Sequence, residues 1–113
     1  GVNISVLAGF VLLLSGIKSG EKIYELKLYD EKRQKIKCGD YIVFNAENGE
    51  KLTAKVTGIL RFKDFAELYA VLPKNQIGYK PYETAVPNDM AKNYADDEIE
   101  KYGVVALKIE LVN

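Results

Sequence analysis

The 113-residue chain contains no histidine and a single cysteine. Without histidine, the usual zinc and iron sites and the Ser-His and Cys-His catalytic arrangements are excluded. A metal site would need carboxylates alone, and no run of Asp and Glu has the spacing of a calcium loop, so we expect no metal and no cofactor. The one cysteine, Cys38, cannot form a disulfide within the chain, which favours a reducing compartment and predicts a cytoplasmic protein.

The chain also lacks a surplus of charge of either sign. Lys plus Arg and Asp plus Glu both number 16, so the formal net charge is zero. A protein that holds duplex nucleic acid through many phosphates usually carries a basic surplus. Any nucleic-acid role is therefore expected to rest on a local basic patch or on one nucleotide held in a pocket.

No hydrophobic run is long enough to cross a bilayer. The stretch from Ile4 to Leu14 has about half of the roughly 20 residues that a span requires, and Ser5 and Gly9 interrupt it. It also lacks the basic start and the cleavage site of a signal peptide. We expect no membrane partner, because a buried strand followed by a helix explains the run.

The composition is that of a small globular protein. Hydrophobic residues make up 48% and charged residues 28% of the chain, which rules out wholesale disorder and predicts one domain over residues 1–113. Alternating or continuous apolar residues predict five strands: Ile4–Ala8, Lys22–Leu28, Tyr41–Asn45, Leu52–Phe62 and Val104–Val112. Several strands follow one another without a helix between them. We therefore predict an α+β fold, a curved mixed β-barrel of five or six strands with about three helices packed around it.

Caps and turn residues predict the connections. Asp64 followed by Glu67 is a capping box of the Asp type and opens a helix. Gly39 is expected at positive φ in a tight turn, and Asn48-Gly49 predicts a hairpin. Further short helices are expected over Phe10–Ser19 and Asn88–Tyr94.

Side-chain alternation also predicts which faces are buried. In the second strand Tyr24, Leu26 and Leu28 share one face, so Glu25 and Lys27 are expected on the free face. In the fourth strand, one buried face is expected to hold the following residues: Leu52, Ala54, Val56 and Leu60.

Several motifs occur in a recognisable order. Gly20-Glu21-Lys22-Ile23-Tyr24-Glu25-Leu26-Lys27 resembles the G-x-K-x-x-E-x-R signature of the ASCH family, the activating signal cointegrator homology domains of the PUA-like superfamily. Further matches follow in register: Gly39–Phe44, Phe62–Leu72, Asp89-Met90 with Tyr94, and Tyr102-Gly103-Val104. The resemblance covers the chain from about Leu13 to its end.

The resemblance implies a PUA-like barrel with a cleft beside the Gly-x-Lys-x-x-Glu strand. Relatives are proposed to bind RNA or modified nucleotides, so the partner it implies is RNA or a nucleotide-like small molecule. One bacterial branch hydrolyses N4-acetylcytidine with a threonine three residues after this lysine. That position is Glu25 here, and the usual arginine of the strand is Lys27, which lacks the planar fork. Whether the chain is an enzyme therefore stays open.

We expect Lys22, Glu25 and Lys27 to line a hollow large enough for a flat heterocycle. Lys22 would meet a phosphate, a carboxylate or a carbonyl, and Glu25 would accept hydrogen bonds from a base or act as a general base that Lys27 orients. The alternative is a solvated lysine at a strand end beside a surface ion pair of about 0–1 kcal/mol.

Two further residues are candidates for ligand binding. Arg33 belongs to the basic run Lys32–Lys37, where a nucleic-acid strand would lie; the alternative is a solvated connection balanced by nearby carboxylates. Tyr79 would stack on a base, or pack back on the core.

Three functions follow from these residues. The first is a module that binds RNA or a nucleotide. The second is an amidohydrolase acting on a modified nucleoside such as N4-acetylcytidine, with Lys22 and Glu25 as catalytic residues and water as nucleophile. The third is a protein-interaction adaptor.

Overall fold

In the computed structural model of the chain, residues 3–8, 16–46 and 49–112 are described. The strands are β1 (Asn3–Ala8), β2 (Tyr24–Leu28), β3 (Tyr41–Ala46), β4 (Lys51–Phe62) and β5 (Val104–Val112). The helices are α1 (Phe65–Val71), α2 (Asn88–Ala91) and α3 (Asp96–Tyr102). Two short 3-10 helices lie in the connections, at Arg33–Lys35 and Lys74–Ile77, and residues 16–19 are helical.

The strands form one sheet in the order β1-β3-β4-β5-β2. Along β3, β4, β5 and β2 the pairing is antiparallel, and β1 joins β3 in parallel. A register shift between Val56 and Gly58 in β4 is the kind of bulge that bends a strand and increases its twist. The α+β class is confirmed. The sheet is a curled half-barrel, however, since the described strands β1 and β2 lie at opposite edges and do not pair to close a barrel.

β5 runs between β4 and β2 and is covered on both faces. Val105 and Leu107 pack in a first core cluster with Phe44 of β3 and Val56 of β4. The alternate residues of β5 pack in a second cluster against α1, through Val104 and Ala106. The predicted strand Val104–Val112 is confirmed, and each of its faces contributes to a different core.

The start of α1 is fixed as the sequence predicts. The backbone N–H of Glu67 donates to the Asp64 carboxylate at 2.9 Å, which satisfies one of the unpaired amides of the first helical turn. Phe65 and Leu68 are buried in the second cluster. Gly39 has φ 98°, which confirms its predicted turn conformation.

One predicted face is wrong, and the bulge in β4 is the reason. Ala54 and Val56 are fully buried, but Leu60 beyond the bulge is 38% exposed. Ile59 packs against the first cluster instead. An extra residue in one strand inverts the alternation of faces that follows it, so the side chain that alternation places inside lies outside.

One further predicted helix is confirmed only in part, and other predictions concern residues outside the described ranges. The helix expected over Asn88–Tyr94 ends at Ala91. Most of the helix expected over Phe10–Ser19, and Asn48 of the expected hairpin, lie outside the described residues. None of the helices in the described part of the chain has the length and apolarity that a bilayer crossing requires.

Candidate functional site

The backbone at the start of β2 is held by neighbours on three sides. The N–H of Lys22 donates to the carbonyl of Gly16 at 3.1 Å, and the N–H of Ile23 donates to the carbonyl of Gln76 at 3.0 Å. The carbonyl of Ile23 accepts from the N–H of Ile109 in β5 at 2.8 Å. These bonds fix the direction in which the Lys22 side chain leaves the sheet.

Glu25 and Lys27 lie on the face of β2 that looks toward the first core cluster. Glu25 is opposite Leu107 and Lys27 is opposite Val105 in the antiparallel register, and directly opposed residues share a face. The expectation of a free face is therefore wrong: Glu25 is 7% exposed. The reason is that Leu26 packs under α1 while the opposite face meets the curled sheet, so β2 is covered on both sides.

Lys22, which lies two residues before β2, and the two charged residues of β2, Glu25 and Lys27, make two contacts. The ammonium of Lys22 donates to Oε2 of Glu25 at 3.2 Å, and Nζ of Lys27 lies 3.8 Å from Oε1 of Glu25. The side chains of Lys22 and Glu25 are 8% and 9% exposed, and that of Lys27 is 21% exposed. The structure therefore brings the predicted trio together as a buried cluster in which Glu25 lies between two cations.

Two glycines flank the stem of Lys22. A Cβ on Gly78 would lie 3.5 Å from Cδ of Lys22, and one on Gly16 would lie 3.6 Å from Cβ of Lys22. Gly78 has φ 106°, a conformation that residues with side chains rarely adopt. The stem thus runs through a close-fitting passage that directs the ammonium to Glu25.

Arg33 joins the same cluster through the connection after β2. Its guanidinium lies 3.0 Å from Oδ2 of Asp30, and its backbone N–H donates to Oδ1 of Asp30 at 3.1 Å. We use the name "charged strip" for the following five residues: Lys22, Glu25, Lys27, Asp30 and Arg33. Three cations and two carboxylates give this strip one excess positive charge.

Burial and charge both act on Lys27. Burial lowers the pKa of its ammonium below the ordinary value of 10.5, Glu25 opposes that effect, and the positive charges of Arg33, Lys22 and Lys32 add to it. The strip is thus a place where positive charge is crowded and only partly compensated.

Tyr94 is a neighbour of the strip, although the periodicity of the sequence places it only at the end of a short helix. Burial raises the pKa of its hydroxyl, a hydrogen bond with the backbone of Leu28 and the charge of Arg33 oppose this, and Glu25 and Asp30 add to it. Its ring stacks on Phe65 with centroids 5.9 Å apart. The signal that points to Tyr94 is its place in the motif that begins at Asp89-Met90.

Lys22 also borders a small surface hollow. Gly16 and Glu21 line it on one side, and Gly78, Tyr79 and Lys80 line it on the other. Its free volume is about 20 Å³, which is room for about one water molecule. This hollow is too small for a flat heterocycle. On its other side Lys22 borders a wider hollow of about 240 Å³, between residues 17–20 and the end of β5. Glu25 and Lys27 are not among the lining residues of either hollow.

Tyr79 borders the hollow but its hydroxyl is occupied. It donates to Oδ2 of Asp89 at 2.7 Å and lies 2.8 Å from the hydroxyl of Tyr69. Burial, together with these two hydrogen bonds, raises the pKa of Tyr79 far above its ordinary value. The phenol thus links the loop before α2 to Tyr69 of α1 and to Asp89 of α2.

The sequence as a whole has relatives. The family model for the ASCH domain matches residues 13–113. In a comparison with curated proteins, none matches significantly.

Three solved structures resemble this chain. The crystal structure of hypothetical protein PH0355 is 33% identical, with a TM-score of 0.73 over 98% of this chain and 100% of the other. The solution structure of protein PF0455 from Pyrococcus furiosus is 28% identical, with a TM-score of 0.68 over 99% of both chains. An ASCH domain from Lactobacillus crispatus shares the fold at 16% identity, with a TM-score of 0.57 over 96% of this chain and 79% of that one.

Proposed function

This chain belongs to the ASCH domain family, and on that premise we propose that it is a module that binds RNA or a nucleotide through the charged strip at β2. The observation that carries the proposal is the buried contact between Lys22 and Glu25 with Lys27 beside it. Burying ionised side chains costs several kcal/mol of desolvation per ion, in order of magnitude, and ion-pairing recovers it only in part. Groups kept in such a place at one edge of a fold are candidates for a site.

The charge of the strip supports an anionic ligand. Its excess positive charge contrasts with the formal net charge of zero for the whole chain. A surface that neutralises only one or two phosphates cannot hold a long duplex tightly, because duplex affinity grows with the number of phosphates neutralised. We therefore propose a short single-stranded segment or a single nucleotide as the ligand.

The candidate residues have different parts in this proposal. Glu25 is too well covered to be a major ligand contact, and it holds Lys22 and Lys27 in position. Tyr79 borders the small hollow, and in this proposal its ring is the surface on which a base stacks. Arg33, at one end of the strip, is held by Asp30 and adds a second partly exposed cation to that of Lys27.

Binding is favoured over hydrolysis of a modified nucleoside. A general base must be within reach of a water molecule, whereas Glu25 is only 7% exposed and its Oε2 already accepts from the ammonium of Lys22. We expect incubation with N4-acetylcytidine to release no cytidine above the buffer rate. Release that disappears in a Lys22→Ala variant would favour the hydrolase instead.

Fluorescence anisotropy with a labelled single-stranded RNA at 50 and 200 mM salt tests the proposal. We expect salt-sensitive binding, and a loss of about tenfold or more in the variant that combines Lys27→Gln with Arg33→Gln. The matched control combines Lys51→Gln with Lys55→Gln, two exposed lysines of β4, and removes the same charge from a strand that β5 separates from β2. No binding at 50 mM salt, or an equal loss in the control, would count against the strip as the site.

A further inference from the structure

The charged strip divides into one satisfied pair and one unsatisfied cation. Lys22 and Glu25 form a hydrogen bond of 3.2 Å and both are more than nine-tenths buried. Their charges cancel. This pair needs nothing from a ligand to complete it, and it has little surface to offer one.

Lys27 is in a different position. Its Nζ is 3.8 Å from Oε1 of Glu25, which is an electrostatic contact and too long for a hydrogen bond. An ammonium has three N–H donors and no acceptor, and among the described residues none accepts a hydrogen bond from Lys27. Its side chain is 21% exposed, so these donors are within reach of a molecule from solution.

The groups around Lys27 increase its need for an anion. Glu25 is already matched by Lys22, and Asp30 is matched by Arg33 at 3.0 Å. Lys22, Lys32 and Arg33 are close enough for their charges to lower the pKa of Lys27. The positive charge of Lys27 is therefore the one that no carboxylate of the strip compensates fully.

We infer that Lys27, together with the guanidinium of Arg33, binds a phosphate group of the ligand. This inference rests on the proposed function and states which part of an RNA or nucleotide the strip takes. A phosphate offers several charged oxygens, which suit a point-like ammonium together with a guanidinium that Asp30 orients and whose charge acts on that ammonium. Both a phosphodiester of RNA and the monoester of a free nucleotide carry such oxygens.

The experiment compares the unaltered chain with Lys27→Gln, Lys27→Arg and the exposed control Lys51→Gln. Binding is measured for single-stranded RNA across a salt series, and for cytidine and cytidine 5′-monophosphate by NMR titration. We expect Lys27→Gln to weaken RNA binding about tenfold and to reduce the slope of log K against log salt by about 0.7. Lys27→Arg and Lys51→Gln should leave that slope unchanged, since the first keeps a cation at the site and the second lies elsewhere.

The two ligand series separate the sources of the phosphate. If the monophosphate binds more tightly than cytidine and Lys27→Gln removes that difference, the inference holds for a free nucleotide. If only RNA shows the effect, it holds for a phosphodiester. RNA binding with an unchanged slope in a folded Lys27→Gln variant overturns the inference and leaves the proposed function standing. No binding of RNA or the monophosphate by the unaltered chain overturns both.

Discussion

Lys22 and Glu25, three residues apart in the chain, form a hydrogen-bonded ion pair of 3.2 Å with both side chains less than a tenth exposed. The pair is not symmetric in its surroundings. Glu25 has a second cation at 3.8 Å, namely Lys27, whereas Glu25 is the one carboxylate in the described residues with which Lys22 forms a salt bridge. Removing Glu25 therefore leaves Lys22 without a countercharge among the described residues, whereas removing Lys22 leaves Glu25 with Lys27.

Glu25→Gln is expected to cost more stability than Lys22→Met. The first leaves a buried ammonium with no countercharge and two lysines facing each other, so we expect a loss of about 3 to 5 kcal/mol in the free energy of unfolding. The second leaves Glu25 with Lys27 as a partner, so its cost should be smaller. Urea unfolding at pH 7 measures both. Equal losses would show that Lys27 does not compensate Glu25.

The order of elements and the location of the strip could be predicted from the sequence, because they depend on local patterns. Asp64 and Gly39 act on their own neighbours in the chain, and the alternation of β5 needs no knowledge of what covers it. The burial of Glu25 could not be predicted in this way. It depends on the pairing of β2 with β5 and on the curl of the sheet, which are long-range features.

Tyr79→Phe is expected to lower stability by about 1 kcal/mol and to leave RNA affinity within about twofold. The variant loses the hydrogen bonds to Asp89 and Tyr69 and keeps the ring. Tyr79→Leu removes the ring as well and should weaken RNA binding further than Tyr79→Phe does. Urea unfolding and anisotropy separate the two effects. If both variants bind RNA as the unaltered chain does, Tyr79 serves only to hold the loop.

Gly103→Ala is expected to be among the most destabilising small substitutions in the chain, at about 2 to 5 kcal/mol. Gly103 has φ 72° and ψ −170°, and an added Cβ would lie 2.8 Å from the backbone oxygen of Phe62. The control is Gly39→Ala, at φ 98° but with nothing within 4 Å of the added Cβ. It should cost about 1 to 2 kcal/mol. Similar losses in thermal unfolding would contradict a steric role for Gly103.

Gly103 belongs to the motif Tyr102-Gly103-Val104, and its contacts could not be predicted from the alternation of polar and apolar residues. Its carbonyl accepts from the N–H of Tyr29 at 3.0 Å, directly before Asp30 of the charged strip. A side chain at this glycine would push β5 away from Phe62 and disturb the end of β2. The periodicity of the sequence predicts neither this contact nor the position of Tyr94 beside the strip. Both are contacts between residues that are far apart in the chain.

The lowered pKa of Lys27 has a definite consequence for stability. Its folded pKa lies below the ordinary value of 10.5, so between those two values the unfolded chain binds more protons than the folded chain. Stability contributed by this group therefore rises with pH through that window, and it is at its least favourable below the folded pKa. Tyrosines with raised pKa values act in the opposite direction above pH 10, which makes a comparison with a variant necessary.

Lys27→Met removes this group and leaves the tyrosines in place. We expect the free energy of unfolding of the unaltered chain, minus that of Lys27→Met, to increase between pH 7 and pH 10.5, because the unaltered chain alone is relieved of a partly desolvated charge. Urea unfolding at several pH values measures the difference. Adding cytidine 5′-monophosphate should make this increase smaller, since a bound phosphate favours the charged form of Lys27 and raises its pKa. A difference that falls with pH in the absence of ligand would mean that Glu25 dominates over burial at this lysine.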